Sequence, residues 1–216
     1  MPDLFRYIPY FLPAAWMTLV ITSFGILIGL LIGFPISLAR LSKNKAAELA
    51  AKAYIGFIRG TPLLLQLFFI YFGLVRLIRL DPLPSAALAL GIHNGAYIAE
   101  IFRGAIQSVD KGQIEAGRAL GMSKAQTLRR IILPQAFRRA LPPLGNQFII
   151  ALKDSSLAST ISIRELVLTS RQLASSNYMM MEMLMLAAVF YLIMTGALSF
   201  IVHRIEYKMS VGERAV

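Results

Sequence analysis

Three charged side chains, Glu100, Arg103 and Asp154, stand inside or beside stretches that are otherwise almost free of charge. A charge at the centre of a membrane-spanning helix costs about 2.5–3.5 kcal/mol on insertion scales, so each needs a partner or a wet cavity. Arg103 can hold a carboxylate through its planar fork, and Asp154 or Glu100 can take an ammonium. The same groups admit other chemistry. Glu100 and Arg103 are spaced i, i+3 and can simply neutralise each other, and Glu100 and Asp154 can serve as proton or cation sites of a gradient-driven carrier. His93, Tyr97, Glu100, Gly104 and Gln107 recur every three or four residues and share one helical face, with Arg103 at its edge. Ser155 and Ser156 follow where the helical pattern loses regularity. A helix broken there exposes backbone groups to a cavity, although both serines also read as polar helix-end residues.

These residues call for a membrane scaffold. The 216-residue chain is 57% hydrophobic with mean hydropathy +0.65, and Tyr7 to Ala39 contains no Asp, Glu, Lys or Arg. A bilayer core needs only about 20 such residues as a helix. The run is too long for a signal-peptide core of roughly 7–15 residues, so it reads as a retained span. Further apolar runs at Gly60–Val75, Pro82–Ala99, Ala140–Leu152 and Met183–His203 bring the expected count to five spanning helices in a single domain, 1–216. The fourth run is short, so its helix continues through Lys153 and Asp154 or breaks there. With the third helix ending near Val109 and the fourth starting near Pro142, Glu100 and Asp154 are expected roughly 14 and 18 Å deep, at comparable heights.

Charge fixes the expected orientation. Arg40, Lys43, Lys45 and Lys52 follow the first helix whereas Arg6 alone precedes it, which sets the N-terminus outside. Residues 107–139, with Lys111, Arg118, Lys124, Arg129, Arg130, Arg138 and Arg139, then lie inside, as does a tail holding Arg204, Lys208 and Arg214. The net charge of +11 is thus a topology signal, with some left for anionic lipid or a partner, and nucleic-acid binding is not expected. There is no cysteine, which excludes disulfides and thiolate chemistry, and His93 and His203 form no ligand cluster, so no metal site is expected. The methionines at 179–181, 183 and 185 read as flexible apolar packing. His203 and Tyr207 read as interfacial anchors, Arg59 with Thr61-Pro62 as a kink, and Thr61 and Gln66 as packing residues more than path-lining ones.

The basic loop at about 108–139 has internal order. Gln113 to Gly121 combines small residues with one carboxylate, Glu115, and a glycine stop. Gly121 suits the left-handed conformation that ends a helix, and Ser123 suits the cap of the next. So short a helix lacks the apolar surface to stand alone and is expected to dock on something. Glu115-Ala116-Gly117, Gly121 four residues later and Ile131-x-Leu133-Pro134 together resemble the EAA loop of ABC-importer permeases, with Gly117 where a second alanine is usual. Arg59-Gly60-Thr61-Pro62, Ala96 to Glu100 with Arg103-Gly104, and Lys153 to Leu157 are similar to the polar amino acid permeases, of the histidine, glutamine, arginine and cystine kind, and the likeness covers nearly the whole chain.

That resemblance implies five helices per subunit and a coupling helix, here Glu115, Ala116, Gly117, Arg118 and Gly121, seated in a cleft of an ATP-hydrolysing partner. It implies permeases paired, alike or paralogous, with two ATPase subunits and an extracytoplasmic binding protein, and it places the chain in the bacterial cytoplasmic membrane. For a free amino acid, Arg103 would meet the carboxylate and Asp154 or Glu100 the ammonium, with Tyr97 and Ser155 beside them. The segment Gly112 to Ala119 overlaps the glycine spacing of a phosphate-binding loop but lacks its Lys and its Ser/Thr, and no strand precedes it. The chain is therefore expected to be no enzyme, with ATP and Mg²⁺ held by the partner. A gradient-driven carrier or channel subunit, and a scaffold or receptor that moves no solute, are the competing readings.

Overall fold

The uncharged first run forms one helix. In the computed structural model, which describes residues 4–213 with side chains through Met209, α1 runs over Ile8–Arg40. Arg214 of the expected basic tail lies outside the described residues. Helix α1 packs along α4 (Pro82–Gln107) through small residues, because lipid supplies no hydrophobic drive between helices and close backbone approach takes its place. Gly25, Gly29 and Gly33 recur every fourth residue against Leu90, Asn94, Gly95 and Ile98; a Cβ on Gly33 would lie 2.7 Å from the Gly95 carbonyl oxygen, and one on Gly91 would lie 2.4 Å from Cγ2 of Ile28.

Among the described residues two helices are long and apolar enough to cross a membrane unaided, α1 and α9 (Met180–Glu213). The second run, expected to carry a kink at Arg59 to Pro62, is bent sharply there. Helix α2 (Lys45–Arg59) meets α3 (Leu63–Phe68), which continues through a π turn at Phe69–Gly73 and a 3₁₀ turn at Leu74–Arg76, at an angle of 101°. Pro62 has no N–H to extend α2 and disfavours a helical Thr61. The carbonyls freed at the corner find new donors: Thr61 Oγ1 donates to Phe57 O at 2.9 Å, and Gln66 Nε2 donates to Ile58 O at 2.9 Å and Thr61 O at 3.2 Å. The kink signalled by Arg59 to Pro62 is thus a corner, and Gln66 is the residue that stitches it.

Helix α7 (Leu133–Asp154) is longer than its apolar core, because it starts in the basic loop and passes through Pro142 and Pro143. It runs antiparallel to α4. Asn94 Oδ1 accepts from Gln147 Nε2 at 2.8 Å, and Phe102, Ala105 and Val109 share a core with Ile132, Ala136 and Ala140. Beyond Asp154 the helix tightens into a 3₁₀ segment, Ser155–Ile161, which ends on left-handed Ser162 with φ 66°. Helix α8 (Leu166–Asn177) follows and leads into α9, against whose Val202 Gly145 of α7 packs closely.

The basic loop folds as expected, into α5 (Lys111–Ala119), α6 (Lys124–Thr127) and a π turn at Leu128–Ile132. Asp110 caps α5 by accepting from Gly112 N at 2.6 Å, and Gly121 ends the segment with φ 78°. At α6, Ser123 Oγ accepts from Gln126 N at 3.2 Å while Gln126 Oε1 accepts from Ser123 N at 2.8 Å, a reciprocal capping box. Ser123→Ala is expected to cost about 1 kcal/mol locally and so to speed amide exchange at Gln126 about fivefold, as read by hydrogen-exchange mass spectrometry of the reconstituted protein. An unchanged rate would mean the cap does not hold α6.

Candidate functional site

Helix α4 is buried around most of its circumference, but His93, Tyr97, Glu100, Arg103, Gly104 and Gln107 form a stripe that is half-buried or open. Sequence periodicity placed five of these on one face, and the structure joins them by contact. Gln66 Oε1 lies 3.1 Å from His93 Nδ1, and the His93 and Tyr97 rings are 5.2 Å apart. The Arg59 guanidinium sits 5.1 Å from the Tyr97 ring centre. Because Gln66 Nε2 donates to backbone carbonyls, its Oε1 is the acceptor and His93 Nδ1 the donor. Further along, Arg103 Nε and Nη2 donate to Glu100 Oε2 at 3.0 and 2.7 Å, and Nη1 donates to Gln107 Oε1 at 2.6 Å.

Asp154 is not part of this constellation. Starting from the level pair Asn94 and Gln147, Glu100 lies six residues toward the basic end and Asp154 seven residues the other way, so the carboxylates are roughly 20 Å apart along the bundle at about 1.5 Å per residue. The expectation of comparable heights is corrected, because α7 starts nine residues earlier than Pro142. Asp154 is half-buried and makes no ion pair among the described residues. Ser155 is also corrected: it is fully buried and its Oγ donates to Leu152 O at 2.8 Å, within its own helix turn and not toward a cavity.

At the basic end, Gly117 faces inward, where an added Cβ would lie 2.9 Å from Cδ1 of Ile131 and 3.2 Å from Cγ2 of Thr127. An alanine there would need the tip of Ile131 to shift, and the close contact docks α5 on the segment leading into α7. It turns the other face of α5 outward: Glu115, Ala116, Arg118 and Leu120 are exposed, Leu120 by 82%. Arg139 of α7 donates to the carbonyl and, at 3.2 Å, to Oγ of Ser108, the residue that ends α4 just before α5. Movement of α5 is thereby tied to α4 and α7 together. The α1–α2 turn comes to the same place. Lys43, and after it Arg118, hold the Lys124 ammonium below the usual lysine range by repulsion.

A model of the binding-protein-dependent transport system inner membrane component matches residues 25–208, which include α4, the whole of the α5–α6 loop and α7. The chain belongs to that family. The permease is 45% identical over 207 residues, 94% of each chain, to the glutamine transport system permease protein of Escherichia coli (strain K12). It is 40% identical over 196 residues, 90% of this chain and 84% of the other, to the L-cystine transport system permease protein of Bacillus subtilis (strain 168). Its backbone matches the crystal structure of an amino acid ABC transporter with histidines at a TM-score of 0.90 and 39% identity, covering 95% of the permease and 97% of that chain. An inward-facing MetNI methionine ABC transporter shares the fold at a TM-score of 0.82 and 22% identity, covering 97% and 99%. The permease is an all-helical membrane component of a transport system of this type.

Sequence reasoning missed three features of the permease. Asn94 and Gln147 form a buried amide pair between α4 and α7, and each was legible as a polar residue within an otherwise apolar face. Arg59, read as a kink marker, covers Tyr97. Glu165 is fully buried at the start of α8, where an acidic residue ahead of Leu166-Val167-Leu168 is a helix-start signal.

Proposed function

We propose that this chain is the transmembrane subunit of an ATP-driven importer that carries a polar amino acid across the cytoplasmic membrane by alternating access. It spans five times, N-terminus outside and C-terminus inside, as one domain over residues 1–216. It works as one of a pair, alike or paralogous, with two ATPase subunits and an extracytoplasmic binding protein. ATP and Mg²⁺ bind to the ATPase partner, since this chain's only glycine-spaced segment lacks the Lys and hydroxyl that a phosphate loop needs.

The observation that carries this reading is α5, docked through Gly117 with Glu115, Arg118 and Leu120 turned outward. An exposed leucine between charges fits a groove on a partner, and the Lys43, Lys124 and Arg118 cluster is relieved by an acidic rim there. Closure of the paired ATPases draws the α5 helices together, and the α5–α4 and Arg139–Ser108 links pass that movement to the bundle. The solute meets the polar stripe of α4, where Arg103 takes the carboxylate and Glu100 with Tyr97 the ammonium. Asp154, at the other level, acts at the entry end of the path and not in the same contact. The relatives named for glutamine and L-cystine support a polar amino acid as cargo.

The test is ATP hydrolysis and solute uptake by the complex reconstituted with its ATPase and binding protein. Stimulation of hydrolysis by loaded binding protein, with uptake that needs ATP, is the expected result. Uptake driven by an ion gradient with no ATPase bound would favour the carrier reading instead.

A further inference from the structure

The two non-glycine residues with positive φ among those described, Ser162 at 66° and Tyr178 at 58°, bracket α8. A side chain on Cβ disfavours this conformation, and it persists where surrounding structure imposes it. Helix α8 lies at the end of the bundle away from α5, because α7 carries the chain there and the 3₁₀ segment Ser155–Ile161 leads on to it. Besides the buried contacts of Leu166 and Ala174, one polar side chain ties α8 to its neighbour. Glu165 is fully buried, accepts from Val167 N at 2.9 Å and Leu168 N at 2.8 Å, and accepts from the Tyr191 hydroxyl of α9 at 2.9 Å.

The two amide bonds cap α8; the third ties that cap to another helix. Among the described residues no cation pairs with Glu165, so three neutral donors hold a buried carboxylate, and losing one leaves a charged group short of partners. Helix α8 packs on α1, where Leu166 and Ala174 share a buried core with Phe11 and Ala14. Beside that contact lies an open cleft of about 560 Å³, lined by Pro9, Pro13, Met17, Arg164, Gln172 and Leu173 among others. An element with constrained links at both ends, one specific polar latch and free volume beside its contact with α1 has a second position available.

We propose that α8 is the gate at the far end of the permease and that Glu165 is its positioning residue, latched through Tyr191 while the α5 end is open. Release of the Glu165–Tyr191 bond swings α8 across the α1 cleft and opens the far end. This inference rests on the alternating-access reading above.

Because the chain has no cysteine, one can be placed by design. Leu173→Cys, in the partly buried layer between α8 and α1, is reacted from outside with a membrane-impermeant maleimide in proteoliposomes holding the complex. Fast labelling without nucleotide and slower labelling in the ATP-trapped state are expected, because α8 then fills the cleft that position 173 lines. With Tyr191→Phe or Glu165→Gln added, labelling should be about tenfold slower without nucleotide and insensitive to ATP, with uptake reduced and the amount of complex unchanged. A purely structural role would lower the yield and leave the nucleotide dependence intact, and that result would overturn the proposal. Should Glu165→Gln fail to assemble, Tyr191→Phe decides, since it removes one hydroxyl and leaves both cap bonds. Tyr191→Phe that labels and transports like the parent sinks the latch. A parent complex that shows no ATP-driven uptake overturns the importer reading instead, and labelling without nucleotide still reports on the latch.

Discussion

Glu115→Lys is expected to abolish uptake while leaving the permease folded. Glu115 is exposed on α5, and the features that hold α5 lie elsewhere: the Asp110 cap, Gly117 under Ile131 and Thr127, and left-handed Gly121. Exposed substitutions away from such features usually stay within about 0.5 kcal/mol, so thermal unfolding of the isolated permease should not move. The partner surface is another matter. Reversal removes the one carboxylate within α5, so that a cation of the ATPase groove paired with Glu115 would face a like charge, at a cost of several kcal/mol, enough to weaken docking about 100-fold. The measurement is co-purification of the ATPase with binding-protein-stimulated hydrolysis. Loss of both, at unchanged permease yield, is the expected result; full stimulation by the variant would remove Glu115 from the interface. Leu120→Ala should act in the same direction but more weakly, because truncation removes contact area without adding repulsion.

The α5–α6 loop was legible because its physics is local. A capping serine three residues before Gln126, a glycine stop and an unusually small residue at 117 each act within a few residues, and each does in the structure what its type suggests. Helix existence was legible for the same reason, as an uncharged run such as Tyr7–Ala39 leaves a bilayer little choice. The register between α4 and α7 was not. It depends on how far α7 extends below its apolar core, and the basic, proline-containing stretch from Leu133 to Pro143 reads as loop in composition although the backbone keeps it helical. Roughly nine residues of unforeseen helix displaced Asp154 from the level of Glu100 and split one imagined site in two. The α2–α3 corner was legible as a break at Pro62 but not as an angle of 101°, because the angle is set by Gln66 reaching back to Ile58 and Thr61, a tertiary arrangement of side-chain amides. Glu165 escaped for a related reason: its cap is local, but its burial is set by α9, twenty-six residues on.

The pairing of Glu100 with Arg103 decides what the polar stripe of α4 can do. Two readings stood open from the spacing alone, mutual neutralisation and contact with solute, and the geometry makes them compatible. Arg103 uses Nε and one N–H on each of Nη1 and Nη2 for Glu100 and Gln107, which leaves a second N–H on each terminal nitrogen. In the proposed reading these remaining N–H groups meet the solute carboxylate, and Glu100 balances the charge when no solute is present. The side chains of Arg103 and Glu100 are 28% and 24% exposed, open enough for solute to reach them. Glu100→Gln alone therefore leaves a cation without its counter-charge, at a cost of about 1 kcal/mol for a partly exposed pair, and should lower the stability of the folded permease. Arg103→Gln should do the same from the other side. Glu100→Gln with Arg103→Gln restores neutrality, so stability should recover while ATP-driven uptake stays at least about tenfold below the parent, the loss of one charge-assisted contact. Recovery of uptake along with stability would reduce the pair to neutralisation and move the carboxylate contact to Arg59 over Tyr97, the remaining guanidinium on this stripe.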